Sequence, residues 1–267
     1  MVPSRAANLF AMPGLPDITL ALYLALLGIV LFAGLVHGTL GLGFPMVATP
    51  LLALLTDVRS AILITLLPTV VVNVVSIARG GRWRDSVGRY WPLAVFVAVG
   101  SLAGASLLVT GDPDPFRLVL AGLVLLYLNV ERFAAIDLGW MVRRRWVAMV
   151  VFGTVAGFMG GAANVMVPVL IIMFLQLQAD TRATVQVFNM CFLTAKLVQI
   201  GVFGQAGLLT PGAMATTGPL ALAALAALLG GMALRDRISA MTYRRWLRRL
   251  LAVMATVLIL QYVASVY

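Results

Sequence analysis

No feature narrows the folds open to this chain as much as its apolar runs. Residues 18–36, 61–78, 92–110, 211–234 and 250–266 each approach or reach the roughly 20 apolar residues that an α-helix needs to cross a bilayer. Five such runs are too many for a lone signal anchor. Only 10% of the side chains are charged, where a soluble domain carries about a quarter, and the mean hydropathy is +1.05. The chain therefore reads as an all-α integral membrane protein. Its formal charge of +10 lies in arginines of short loops between apolar runs, where it directs orientation during insertion, so no nucleic-acid partner is expected. Residues 1–17 form a Pro-containing lead with no small-residue cleavage site after a short apolar core, which predicts a retained N-terminus. Cys191, the one cysteine, excludes a disulfide framework and a cysteine-based metal site.

A shift of 123 residues superimposes the chain on itself without a gap. It places Ala33, Gly34, Gly38, Pro45, Leu52, Leu54, Asp57, Arg59 and Ile77 on Ala156, Gly157, Gly161, Pro168, Leu175, Leu177, Asp180, Arg182 and Ile200. Apolar composition can supply the leucines by chance, but rarely Gly, Gly, Pro, Asp and Arg in step. The register predicts a duplication, with repeats over 18–130 and 147–267 joined by an Arg-rich linker, 131–146. Each repeat divides into five apolar segments: 18–37, 40–55, 58–78, 91–110 and 116–130, then 147–163, 164–178, 181–203, 211–234 and 247–266. Loops 79–89, 131–145 and 235–249 carry four, four and six arginines and are expected on the cytoplasmic side, whereas 111–115 and 204–210 carry no Lys or Arg and are expected outside. That assignment puts both termini outside. With an odd number of segments per repeat it also inverts the second half relative to the first, an arrangement known from transporters.

Segments 40–55 and 164–178 are short for a full crossing, and each follows a Gly-rich break, His37 to Gly43 and Gly160 to Asn164. They are either short crossings or re-entrant hairpins, whose tips would meet near the midplane; broken backbone is tolerated there only inside protein or against a water-filled cavity. A helix that starts at such a break directs unpaired N–H groups and its positive dipole end inward. Two opposed breaks would make an anion site from Gly38, Gly41, Gly43, Gly160, Gly161 and Asn164, with Pro45 and Pro168 in the first turns that follow. The competing reading is close helix packing through small residues, which Gly34 with Gly38 and Gly157 with Gly161 also fit.

Lys196 is the one lysine of the chain and falls well inside an apolar segment, where a charge costs roughly 2.5–3.5 kcal/mol on insertion scales. It reads as a counter-charge for an anionic substrate, or as a residue that snorkels to the interface or is neutralised by burial. Its register partner is Asn73. His37 is a candidate to donate to an anion or carry a proton, or is a structural histidine. Asn189 joins the candidate binding residues, while Gln186, Thr65 and Thr194 read as polar contacts between helices. Asp57 and Asp180 read as helix N-caps, with Arg59 and Arg182 paired to them or to headgroups. No catalytic cluster, metal set or nucleotide-binding Gly-Lys motif is visible, so no enzyme activity and no cofactor are expected.

The stretches from Gly34 to Pro45 and from Gly157 to Pro168 resemble the duplicated Gly-rich, Pro-terminated motif of the sulfite exporter TauE/SafE permeases, and the likeness extends over nearly the whole chain. The chain departs from that pattern where Gly160-Gly161-Ala162-Ala163-Asn164 stands for a run of three glycines and where His37 replaces a small or apolar residue. The resemblance implies a secondary transporter, usually an exporter, of small sulfur anions such as sulfite, sulfoacetate or other organosulfonates. It implies a place in the bacterial inner membrane and alternating access; with no nucleotide-binding motif in the chain, energy is expected from a proton or ion gradient, from the substrate's own gradient or from a separate ATPase subunit. The alternative is a non-transporting membrane subunit of a larger complex.

Overall fold

Chain surrounded by apolar side chains satisfies its backbone polar groups most simply as helix, and helix is what forms. A computed structural model describes residues 19–81, 83–112, 114–134, 138–235 and 240–266. Among these there is no strand. The first half of the chain supplies α1 (Leu20–Leu40), α2 (Phe44–Leu55), α3 (Val58–Ile64), α4 (Leu66–Ala78), α5 (Val87–Thr110) and α6 (Pro115–Leu128). Two short helices, α7 (Val130–Ala134) and α8 (Trp140–Arg143), follow. The second half supplies α9 (Arg145–Ala163), α10 (Val167–Gln176), α11 (Thr181–Gln205), α12 (Pro211–Leu234) and α13 (Ala240–Val266). Six helices are long and apolar enough to cross a membrane, so the chain is an all-α, multi-pass membrane protein. The lead at 1–17 and part of the loop at 235–249 lie outside the described residues.

Asp57 and Asp180 cap α3 and α11: one carboxylate accepts from the Ser60 backbone N–H at 3.0 Å, the other from those of Arg182 and Ala183, both at 3.0 Å. Arg59 does not pair with Asp57. It donates to the carbonyls of Leu108 and Gly111 at the C-terminal end of α5, where four helix carbonyls lack intrahelical partners and a cation is favoured.

The segment expected over 58–78 is not one straight helix: α3 and α4 meet at Thr65 with a bend of 48°. Pro68 is the cause, because it has no N–H for the Ile64 carbonyl and its ring crowds that turn. Its register partner is Cys191, and α11 accordingly runs unbroken. The helices after the Gly-rich breaks begin later than the apolar pattern, at Phe44 and Val167. They have 12 and 10 residues, about 18 and 15 Å at 1.5 Å per residue, well short of a hydrocarbon core of about 30 Å.

Packing partners come in matched pairs. Helix α1 lies along α12 and α9 along α5; α4 touches α12 as α11 touches α5; α4 packs on α11 and α6 on α13. Exchanging the two repeats reproduces the same set of neighbours. At the two long contacts the glycines of the small-residue pattern lie against backbone. A methyl group on Gly34 or Gly38 would overlap α12 at Ala224, Leu228 and Gly231, and one on Gly157 or Gly161 would overlap α5 at Val97 and Ser101. Residue numbers rise together across both contacts, so each pair runs parallel. The core is closed by leucine, valine, phenylalanine and methionine side chains from every long helix, while Leu20, Leu24, Leu197, Leu222 and Val253 are exposed on the outer surface, where a bilayer covers them.

Candidate functional site

Two breaks and the helix that holds both of them define the interior. The first runs from the end of α1 to the start of α2. Gly41 at φ 80° and Gly43 at φ 106° adopt left-handed backbone that costs glycine nothing, and the Gly41 N–H closes the last turn on His37 O at 2.7 Å. The second ends α9 at Asn164, φ 62°, the residue type that best replaces glycine there; its N–H bonds Gly160 O at 3.0 Å. Gly41 and Asn164, both at positive φ, are 123 residues apart.

Each break is tied to the opposite repeat. Asn189 of α11 donates from Nδ2 to Gly41 O at 2.8 Å. Asn164 donates from Nδ2 to Thr49 Oγ1 at 2.7 Å and Thr65 Oγ1 at 3.1 Å. His37, fully buried, links three elements: its Nδ1 accepts from the Phe44 N–H at 3.2 Å, so Nε2 carries the proton and faces Ser76 Oγ of α4 at 3.0 Å. The leading N–H of α2 is thereby taken up by His37. At the other break Gln199 plays the part of Ser76, 123 residues earlier. Its Nε2 donates to Gly160 O at 3.2 Å and Gly161 O at 2.9 Å, and its Oε1 accepts from Lys196 Nζ at 2.7 Å. Lys196 has 0% exposure and does not reach the surface.

Helices α4 and α11 run antiparallel between these breaks, with a register set at both ends. At one end Gln186 Nε2 donates to Ile77 O at 2.8 Å. At the other, Thr65 and Gln199 both hold the last turn of α9. About 18 Å of helix separates the two anchors. Within that stretch Asn73 lies at the level of Asn189, and Thr69 at the level of Thr194, one turn or less from Lys196. Asn73 and Thr69 are fully buried, yet both polar side-chain atoms of Asn73 and the Thr69 hydroxyl make no hydrogen bond within the protein. Buried groups of this kind are few in native structures and mark places where something polar binds.

The structure gathers the site candidates in two places: His37, Gly41 and Asn189 at the first break, and Asn164, Gly160, Gly161 and, through Gln199, Lys196 at the second, with Asn73 on α4 between them. The breaks do not touch tip to tip: Asn189 and Gln199 stand ten residues apart on α11, about 15 Å along its axis. Gly38 faces α12 and Gly161 faces α5; Gly160 lies against Met166, and nothing but the Met46 methyl is near Gly43. The carbonyls of Gly160 and Gly161, rather than their missing side chains, reach the seam. Ser76, Gln199, Thr49 and Thr69 were not singled out from the sequence. Ser76 and Gln199 are register partners, and Thr69 shares a helix face with Asn73 at i, i+4, so both signals were there to be read.

A multi-pass helical protein with broken helices around a buried cation and unsatisfied polar groups belongs to the class of membrane transporters. Comparison with known protein families matches residues 26–262 to the family described as Sulfite exporter TauE/SafE. The chain belongs to that family, which is one of membrane transporters of sulfite and related sulfur anions and not of enzymes. Among curated proteins and among solved structures nothing matches it.

Proposed function

We propose that the chain is a secondary transporter that exports small sulfur-containing anions, such as sulfite, sulfoacetate or other organosulfonates, across a bacterial inner membrane by alternating access. The observation that carries this reading is the placement of Lys196 on α11, a helix that also holds both breaks. In the proposed arrangement the two repeats are inverted, the Arg-rich loops are cytoplasmic, both termini are outside, and α2 and α10 are re-entrant. An anion reaching the seam would meet Lys196, with N–H donors beyond the one it gives Gln199, and Asn73 and Thr69 with their side-chain hydrogen bonds unmade. Movement of either short helix would then have to pass through Asn164 with Thr49 and Thr65, or through His37 with Ser76 and Asn189. His37 is the candidate for proton coupling, because protonation at Nδ1 would remove the acceptor of the Phe44 N–H.

Flux of sulfite, sulfoacetate and taurine into proteoliposomes, under a proton gradient of either direction, tests the proposal. Transport of at least one of them, lost in Lys196→Ala, is the expected result. Absence of flux together with an inert Lys196→Ala would remove the anion assignment, and tight co-purification with a partner would then favour the accessory-subunit reading.

A further inference from the structure

Lys196 is the one Asp, Glu, Lys or Arg side chain among the described residues that is buried. All other polar groups along the α4–α11 seam are neutral amides and hydroxyls, apart from the His37 ring and the Cys191 thiol. When Lys196 is protonated, its one positive charge in a low-dielectric interior is balanced by one negative charge, and a second negative charge would be left without a partner, at a cost that burial makes large. The hydrogen-bonding groups point the same way. Asn73 offers an amide oxygen as well as an amide nitrogen, both unbonded, and an unbonded carbonyl oxygen repels added negative charge while accepting from a protonated one. The Gln199 side chain spends its own acceptor on Lys196 and its donor on Gly160 and Gly161, so it has no second donor to lend a dianion.

We infer that the seam selects singly charged sulfur oxyanions, meaning the protonated form of sulfite and simple sulfonates, over dianions. This rests on the transporter reading and narrows its substrates: sulfoacetate, which carries a carboxylate beside its sulfonate, is disfavoured. Thr69 is assigned as the substrate contact that accompanies Lys196.

The wild-type chain in proteoliposomes, with equal pH on both sides, decides the matter without a variant that has to fold. Sulfite changes from monoanion to dianion near neutrality, whereas methanesulfonate stays a monoanion throughout. Sulfite flux at fixed total concentration is expected to fall about tenfold per pH unit once the monoanion is the minor form, while methanesulfonate flux stays level. The sulfonate also controls for titration of His37, Cys191 or Lys196. Methanesulfonate is further expected to compete with sulfite more effectively than sulfoacetate does. Sulfite flux that holds or rises as the dianion accumulates, or sulfoacetate as the better competitor, would overturn the charge assignment and leave the transporter reading intact. No flux of any of the three would overturn the transporter reading and this inference with it.

Discussion

Gly161 has no room for a side chain because the Ser101 carbonyl and the Ala105 N–H of α5 occupy the space a methyl would need. Gly161→Leu is expected to destabilise the protein by about 1–3 kcal/mol through overpacking, read as thermal unfolding in detergent. Gly218→Leu, where nothing lies within 4 Å, is the comparison and should leave the transition in place. Equal losses at both sites would show that the parallel α5–α9 contact is not what requires glycine. Asn164 separates a backbone demand from a side-chain one. Asn164→Gly and Asn164→Val both lose the bonds to Thr49 and Thr65, but only for valine is the left-handed backbone at this cap costly, so it should be less stable than glycine by about 1–2 kcal/mol. Comparable stability of the two would mean that the α9 cap is not held at positive φ. The pattern of small residues was legible in the sequence at these positions. Which of two uses it serves was not, because periodicity reports that a helix face is smooth without saying whether protein or ligand lies against it.

At the scale of elements, the difference between α3–α4 and α11 shows how one residue can unbalance a duplication. Pro68 removes a hydrogen bond and produces the 48° bend that turns Thr65 toward Asn164, while Cys191 at the matching place leaves α11 straight. Pro68→Ala is expected to straighten the pair, so that spin labels at the ends of the 58–78 stretch move apart. An unchanged label distance would assign the bend to packing instead. The two short helices were visible as short segments, but their first residues were not. Hydropathy does not distinguish Leu40 from Leu42, whereas the left-handed φ values at Gly41 and Gly43 stop α1 and restart the chain as α2.

For the whole molecule, the proposed orientation makes a prediction that the single cysteine renders easy to test. In a Cys191→Ser background, a cysteine at 207 should react with an impermeant reagent added outside intact cells, and a cysteine at 84, exposed in the Arg-rich loop, only after the membrane is opened. The opposite pattern would invert the assignment and place the Arg-rich loops outside. The sequence by itself determined the class: apolar run lengths dictate membrane helices, because length and hydropathy are properties of the chain alone. It also marked Lys196, since a lone lysine in hydrocarbon is costly wherever it points. Only the tertiary structure decided what surrounds that lysine. The α4–α11 register and the unbonded groups of Thr69 and Asn73 arise from helices about a hundred residues apart in the chain. Apolar side chains pack in many registers at similar cost, and buried polar groups tell those registers apart only once their partners are in place.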